Sequence, residues 1–447
     1  MELIASIPFF GGFLATVLPF VVVLGIVVFV HEYGHYIVAR WCGIRSEVFS
    51  IGFGPVIWSR RDRRGTVWQL AALPLGGYVR FLGDGDGTSR ADPAALRGMS
   101  AAERAESFHG ATVWRRMATV LAGPFANFLL SVAVFAGLAL WQGVPEDRPV
   151  LGEIDPLPGV TQPLRAGDLV LAVNGKPVTQ LGDIYAAAAA MPAPGPMDFV
   201  VEREGERLEV AAPYALPPLV MGVEPLSPAS RAGLKPGDVI LSAGGAPLAA
   251  FDELRAQVMA SGGKELPLTV WRDGETLAMT ITPIERDTAD GQGGFERRVM
   301  IGVAGASLYL PAVNTPAPWT ALGIGAVRVI DVIDQSLTGL KSILTGAIGA
   351  DNLQGPIGIA QVSGETASQG LVSFVALIGV ISTAIGMLNL FPIPALDGGH
   401  VVAFAIEAVR GRPPSERAMQ FAMSIGLGLI LLLMVFATYN DIMRMVS

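Results

Sequence analysis

Two histidines and a glutamate close an apolar run in the stretch FVHEYGHYIVAR, from Phe29 to Arg40. His31 and His35 are four residues apart, so on a helix both imidazoles project from one face and can reach a single ion. Neutral imidazole is a good zinc ligand, and the carboxylate of Glu32 beside it can take a proton from a water. The HExxH spacing therefore predicts a site for one zinc ion per chain, with a general base next to it.

Catalytic zinc needs a third protein ligand and keeps one position open. The best candidate is Asp397, in NLFPIPALDGGH from Asn389 to His400. Pro392 and Pro394 exclude a regular helix there, and the glycine pair after the aspartate permits a tight turn. The backbone can therefore bring this carboxylate sideways toward the histidines. Irregular backbone at membrane depth is tolerated where it lines an enclosed or wet cavity, which favours a site.

The remaining histidines and the single cysteine are weaker candidates. We expect His109, in a polar loop, to be solvated, and His400 to cap its turn or to hydrogen-bond nearby. Cys42 is the only cysteine, so no intramolecular disulfide can form.

The composition indicates that the elements carrying these residues cross a membrane. The chain is 51% hydrophobic and only 16% charged, too apolar for an ordinary soluble protein. A helix of about 20 residues crosses the hydrocarbon core, and four longer stretches carry no charged side chain: 8–30, 117–145, 366–396 and 418–440. We predict a polytopic α-helical membrane protein with four transmembrane helices, at 8–40, 117–142, 371–409 and 418–440. The net charge of −8 gives no sign of a nucleic-acid partner.

Arginine placement predicts the orientation. The segment 41–116 and the short loop before the fourth span are rich in arginine, and such loops face the cytoplasm. Both termini and the region between the second and third spans then lie on the opposite side. Residues 1–13 contain no Lys or Arg, so we expect the first span to remain attached as a helix and not to be cleaved as a signal.

Between the second and third spans lies a β-rich insert with an internal repeat. AGDLVLAVNGKPV, from Ala166 to Val178, matches PGDVILSAGGAPL, from Pro236 to Leu248. Each copy resembles a PDZ domain, a module that binds extended peptides at a sheet edge. We place the domains at 149–215 and 216–305; spacer modules without a ligand are the alternative. An amphipathic helical linker at 317–365 follows, on the bilayer surface or against the insert.

The stretch TVWQLAALPLGGYVRFL, at 66–82, predicts two short strands about a Pro-Leu-Gly-Gly turn. Its free edge could pair with an unwound substrate segment, with Gly76 and Gly77 contacting the substrate. The alternative is an ordinary cytoplasmic hairpin that packs on loop residues.

Taken together, the motifs resemble the site-2 protease family of intramembrane metalloproteases, in particular members with tandem PDZ domains. The resemblance covers nearly the whole chain in order, and the pairing of HExxH with LDGGH is highly specific. It is carried by HEYGH, PLGGYVRFLG at 74–83, AGPFANF at 122–128, the PDZ-like insert, GPIGIA at 355–360 and NLFPIPALDGGH.

The resemblance implies zinc held by His31, His35 and Asp397, with Glu32 as general base. It also implies that Asn389 hydrogen-bonds the scissile carbonyl, and we expect the neighbouring prolines, Pro392 and Pro394, to contact substrate. The 66–82 segment would be a hairpin that dips into the membrane.

The resemblance further implies single-pass membrane substrates already shortened on the outer side, such as anti-sigma factors in an envelope stress response, and remnant signal peptides. The protein would lie in the bacterial inner membrane, in contact with lipid, with its active site toward the cytoplasm. The PDZ-like pair and both termini would be periplasmic. That pair would act as a size filter or as a reader of a new carboxyl end.

Two other functions fit parts of the sequence. A non-catalytic membrane adaptor would use the PDZ-like modules to recruit partners and would hold a structural metal, for which a closed site of four ligands is expected. A metal transporter is the weaker alternative, because a single HExxH with no other intramembrane acids argues against it.

Overall fold

The computed structural model describes residues 11–85, 93–154, 156–289, 295–305 and 307–446. The chain divides into two compact units. The helical unit comprises the chain up to Leu138, Pro318–Gly346 and the chain from Ala350 onward; the β-rich unit comprises Ala139–Ala317 and Ala347–Gly349.

The helices of the described residues are, in chain order, α1 (Gly11–Trp41), α2 (Pro93–Gly98), α3 (Ala101–Glu106), α4 (Val113–Gln142), α5 (Leu181–Ala189), α6 (Pro228–Ala232), α7 (Phe251–Ala260), α8 (Pro318–Leu344), α9 (Pro356–Ser368), α10 (Leu371–Asn389), α11 (Asp397–Arg410) and α12 (Glu416–Val446). The strands are β1 (Ser46–Arg61), β2 (Val67–Phe81), β3 (Val144–Pro145), β4 (Leu169–Val173), β5 (Lys176–Pro177), β6 (Met197–Arg203), β7 (Glu206–Ala212), β8 (Val220–Val223), β9 (Val239–Ala243), β10 (Ala246–Pro247), β11 (Leu266–Arg272), β12 (Glu275–Ile281), β13 (Ile284–Ala289), β14 (Phe295–Met300), β15 (Val303–Gly305) and β16 (Val313–Asn314).

Four helices are long and apolar enough to cross a membrane: α1, α4, α10 and α12. This confirms a membrane protein with four candidate spans. The third span differs from the predicted 371–409, because α10 ends at Asn389 and α11 begins at Asp397. Pro392 and Pro394 lie in the break, where neither can donate the backbone hydrogen bond that a continuous helix needs.

Small residues bring the membrane helices of the helical unit into close contact. A Cβ on Gly34 of α1 would lie 2.4 Å from the carbonyl oxygen of Ala122 in α4. A Cβ on Gly386 of α10 would lie 3.0 Å from the carbonyl oxygen of Pro124 in α4. Helices in lipid associate through such close backbone contacts, because lipid provides no hydrophobic driving force between them. Helix α4 therefore lies against both the HExxH helix and α10.

Strands β1 and β2 form one sheet in which the first half of β1 lies between the two halves of β2. Phe49, for example, is paired with Val79 on one side and with Trp68 on the other. The second half of β1 pairs with the first half of β2, with Arg60 opposite Trp68. The predicted pairing within 66–82 is therefore wrong. The chain does reverse between the two halves, because residues 67–70 run parallel to residues 48–51 of β1 whereas residues 77–81 run antiparallel to them. The first half of β1 lies between the two halves, so each pairs with β1 and not with the other.

This sheet packs on the C-terminal half of α1 through aromatic side chains. Tyr36 of α1 makes edge contacts with Phe49 and Trp68, at centroid distances of 5.8 and 5.2 Å. All three belong to one apolar cluster with the start of α4 and Phe404 of α11. The sheet is thereby fixed against the helix that carries the two histidines.

The β-rich unit contains two modules that share one topology. Their sheets have the strand orders β5-β4-β6-β7 and β10-β9-β11-β12, and a helix, α5 or α7, packs in each core. The aspartate of the repeated Gly-Asp turn pairs with an arginine side chain in both modules. Asp168 Oδ1 lies 2.7 Å from Arg203 Nε, and Asp238 Oδ1 lies 2.6 Å from Arg272 Nε. The repeat in sequence is thus a repeat in structure.

The first module is completed by a segment from beyond the second. Leu308 and Tyr309 are fully buried in the core of the first module, and the amide of Leu308 donates to the carbonyl of Ala215 over 2.9 Å. The amide of Gly152 in turn donates to the carbonyl of Leu310 over 2.8 Å. The predicted boundary at 215 therefore leaves out part of this module, because the return strand pairs over a long sequence separation.

Candidate metal centre

Three side-chain atoms from two distant parts of the chain converge inside the helical unit. His31 Nε2 and His35 Nε2 are 3.2 Å apart. Asp397 Oδ2 lies 3.1 Å from the first of these nitrogens and 3.4 Å from the second. Both histidines are buried, and together with the aspartate they form the one candidate metal-binding group among the described residues.

This triangle has the dimensions of a tetrahedral zinc site. Zinc bonds of about 2.0–2.1 Å at tetrahedral angles place neighbouring ligand atoms about 3.3 Å apart, and the three measured separations bracket that value. Asp397 Oδ2 is buried and accepts no hydrogen bond within the described part of the chain. Three converging lone pairs would repel one another in an apolar interior, and a proton or a metal cation between them removes that repulsion. The donor set, two imidazoles and one carboxylate, suits zinc and leaves a fourth position open.

Helix α4 supplies the partners of both imidazoles. His35 Nδ1 lies 2.9 Å from the carbonyl oxygen of Thr119, to which it donates when Nε2 is the ligand. His31 Nδ1 lies 3.2 Å from the carboxamide nitrogen of Asn127. Between them, Gly123 is packed against the rings: a Cβ there would lie 2.3 Å from His35 Nε2. The AGPFANF motif thus forms one wall of the site.

The break between α10 and α11 positions the carboxylate. Asp397 is the first residue of α11, and the two glycines after it fit tightly against the preceding loop. A Cβ on Gly398 would lie 2.3 Å from the carbonyl oxygen of Leu390, and one on Gly399 would lie 2.4 Å from that of Ile393. Only glycine permits this fold, so the LDGG sequence brings Asp397 to the histidines.

Glu32 lies in the same cavity as the three ligands. The cavity has a volume of about 330 Å³ and is also lined by Tyr78, Val79 and Asn389. The backbone amide of Val79 donates a hydrogen bond to the Glu32 carboxylate. A Cβ on Gly77 would lie 3.0 Å from Glu32 Cγ. The second half of β2 is therefore in direct contact with the predicted general base.

The other predicted substrate-binding residues lie farther from the cavity wall. Gly76 adopts a φ of 150° and is packed on the ring of Phe53. Pro392 is exposed, and Pro394 contacts α12 at Gly426. Of these predicted residues, the structure places Asn389 at the cavity wall, whereas Gly76, Gly77 and both prolines are not among the described residues that line it. Gly77 instead packs against the side chain of Glu32.

The two remaining histidines have different surroundings. His109 is paired with the buried Asp84, whose Oδ1 lies 2.9 Å from its Nε2, so the prediction of a solvated side chain is wrong. A polar loop sequence does not reveal that its two ends meet. His400 lines the cavity and lies near Phe404, with 6.4 Å between ring centroids.

Sequence reasoning missed Thr119, Gly123 and Asn127 as parts of this site. They are spaced i, i+4 and i+8 on one face of α4, which is the available signal. Thr119 acts through its backbone carbonyl, and a glycine amid small apolar residues is inconspicuous in a membrane helix.

Comparison with known proteins covers almost the whole chain. The sequence model described as Peptidase family M50 matches residues 19–433. A protein of Agrobacterium fabrum named as a zinc metalloprotease is 35% identical over 449 residues, which cover 100% of this chain and 99% of that relative. The regulator of sigma-E protease RseP of Salmonella typhimurium is 34% identical over 456 residues, 95% of this chain and 98% of its own length. The protease RseP of Yersinia pestis is 34% identical over 459 residues, with coverage of 95% and 98%.

Proposed function

The chain belongs to peptidase family M50 and is an intramembrane zinc metalloprotease of regulated proteolysis, and we propose that His31, His35 and Asp397 hold its single zinc ion. Glu32 is the general base. One observation carries this assignment: the three ligand atoms converge to within 3.4 Å of one another in the cavity that Glu32 also lines.

Each residue then has a separate task. Zinc in this site supplies Lewis acidity and a water that gives up its proton more readily. The Glu32 carboxylate accepts that proton and can pass it to the leaving amine. Asn389, on the cavity wall, donates its side-chain amide to the scissile carbonyl, where negative charge develops. The apolar walls limit access of bulk water and strengthen these polar contacts.

The substrate segment must become extended before it can be cut, because a transmembrane helix keeps its amides in internal hydrogen bonds. We propose that it pairs with the second half of β2. No described strand pairs with the outer side of Gly77–Phe81, and Tyr78, Val79 and Phe81 of this segment line the cavity. An added strand would run past Glu32, with the edge of the sheet supplying main-chain hydrogen bonds. Gly76, Pro392 and Pro394 would then shape the approach to the site.

The substrates we propose are single-pass membrane proteins already shortened on the outer side, of the anti-sigma factor type, together with remnant signal peptides. The name of the Salmonella relative, regulator of sigma-E protease, supports this class. The protein then lies in the bacterial inner membrane, in contact with lipid. The arginine-rich loop 41–116 supports a cytoplasmic active site, with both termini and the β-rich unit in the periplasm.

We further propose that the two β-rich modules are PDZ domains that take peptide ligands. In the second module a groove of about 260 Å³ runs between α7 and β14. Its walls include Leu254 and Val258 from the helix and Ile301 and Gly302 after the strand. If the module reads carboxyl ends, a peptide with a free apolar carboxyl terminus binds the full-length protein and its amidated form does not. A pure size filter binds neither peptide and instead slows cleavage as the substrate ectodomain grows.

A non-catalytic adaptor is not favoured. A structural zinc would be closed by four protein ligands, whereas the described residues bring three together. The relatives named as zinc metalloproteases agree with an enzyme.

The decisive experiment combines a chelator with a single substitution. Purified full-length protein is incubated with a labelled transmembrane peptide in detergent micelles. We expect cleavage to stop with chelator and to return with added zinc. We expect Glu32→Gln to abolish cleavage while the bound zinc stays at one ion per chain. His31→Ala and Asp397→Ala should lose zinc and cleavage together. Cleavage by Glu32→Gln at the wild-type rate would remove the assignment of the base.

A further inference from the structure

We propose that Asn127 is a positioning residue for the metal, and that its carboxamide oxygen accepts the Nδ1–H of His31. The inference rests on the proposed function, because it requires that His31 bind zinc through Nε2. It assigns a task to AGPFANF, a motif whose chemistry the sequence alone left open.

The first observation is the contact itself. Asn127 is fully buried in α4, and its carboxamide nitrogen lies 3.2 Å from His31 Nδ1. His31 Nε2 faces His35 and Asp397. An imidazole that binds a metal through Nε2 carries its proton on Nδ1, so Nδ1 must donate. The group that meets it has to be an acceptor.

The second observation is an unmatched atom at the same residue. Asn127 Oδ1 is buried and has no hydrogen-bond partner among the described residues. A carboxamide is nearly symmetric in shape, so turning it by 180° about its last bond exchanges oxygen and nitrogen without moving its neighbours. In that orientation the buried oxygen receives the proton of His31 Nδ1. One rotation thus satisfies the acceptor and leaves Nε2 free to bind the metal.

The third observation is that Asn127 is held in place independently of its side chain. Its backbone carbonyl accepts hydrogen bonds from Ser131 Oγ over 3.0 Å and from Ser382 Oγ over 2.9 Å. Ser131 Oγ also lies 2.9 Å from the carbonyl of Gly379 in α10, so its one O–H is shared between the two carbonyls. These bonds fix this turn of α4 against α10, so the carboxamide is presented to His31 from a rigid support.

The arrangement mirrors that of His35. The carbonyl of Thr119 accepts the Nδ1–H of His35. Asn127, eight residues later on the same face, accepts that of His31. Gly123 lies midway and makes room for the rings. Each imidazole ring is thereby oriented by an acceptor at its Nδ1, across the ring from the metal-binding Nε2, which is the usual arrangement at metal-binding histidines.

The test measures zinc affinity rather than cleavage. Zinc is titrated into the metal-free, full-length protein against a competing chelator. Asn127→Leu keeps the size of the side chain and removes the acceptor, and we expect its zinc affinity to fall about 10- to 100-fold, the usual loss for an outer partner. Asn127→Asp keeps an acceptor at the same atom, and we expect its affinity to stay within about threefold of wild type or to rise.

Ser382→Ala is the matched control, because it disturbs the same buried network without removing an acceptor for His31. Its zinc affinity should equal that of wild type. The proposal is overturned if Asn127→Leu binds zinc as wild type does, if Asn127→Asp loses as much as Asn127→Leu, or if Ser382→Ala loses as much.

Should Asn127→Leu fail to fold, Asn127→Asp decides alone: retention of zinc supports the proposal and a loss of tenfold or more overturns it. A wild-type protein that binds no zinc would instead defeat the proposed function.

Discussion

Replacing Gly123 by alanine should destroy the metal site, although the change adds only one methyl group to a helix that does not bind the metal. The new Cβ would lie 2.3 Å from His35 Nε2 and 2.9 Å from His31 Cε1. Ordinary contacts of this kind begin at 3.4 Å, so ring or helix must move by about 1.1 Å. Zinc bonds tolerate deviations of about 0.2 Å. His35 therefore cannot remain a ligand at its present position.

We expect the affinity for zinc to fall at least 100-fold, which corresponds to about 2.7 kcal/mol, and cleavage to fall below detection at micromolar zinc. The assay is chelator competition with purified protein, followed by cleavage of a labelled transmembrane peptide. Gly137→Ala is the matched control, since it lies on the same helix and a Cβ there has no neighbour within 4 Å among the described atoms. Wild-type zinc affinity in Gly123→Ala would refute the placement of α4 against the histidines.

Three further predictions concern other parts of the molecule. Gly77→Ala should lower the cleavage rate at least tenfold with full zinc content, because its Cβ would press on the general base; zinc loss would contradict this. Burial raises the pKa of Asp168, but the hydrogen bonds from Arg203 outweigh this effect, so the folded-state pKa lies below the usual value. The ionised carboxylate therefore stabilises the fold above about pH 4, and this stabilisation is lost as the pH falls through the folded-state pKa. The difference in melting temperature between wild type and Asp168→Asn should therefore be constant from about pH 8 to 5 and shrink below about pH 4. The carboxylate of Asp441 accepts two backbone amides at the start of α9 over 3.0 and 2.8 Å. Asp441→Asn should therefore lower the stability of the protein by about 2–4 kcal/mol, seen as a fall in melting temperature, whereas Asp331→Asn, at a partly exposed side chain, should change stability by less than about 0.5 kcal/mol.

The metal ligands could be predicted from sequence because each carries a local signal. His31 and His35 are one helical turn apart, and Asp397 lies where prolines and glycines force the chain out of a helix. The partners on α4 could not be predicted in the same way, since Thr119 uses a backbone atom and its side chain says nothing about that role.

Pairings over long sequence separations were the other limit. The stretch 66–82 has the composition of two strands, but composition does not reveal that β1 separates them. Likewise, His109 in its polar loop gives no sign of the partner at Asp84, 25 residues earlier. In each case the deciding contact depends on three-dimensional proximity, which periodicity and turn residues do not encode.

The return of Leu308 and Tyr309 to the core of the first module has a consequence for synthesis on the ribosome. This module begins before the second but ends after it, so its core stays incomplete until the whole second module has been translated. The later module should complete its core first, and a truncated chain that ends at residue 305, once released from the ribosome, should hold one finished module and one still open to proteolysis.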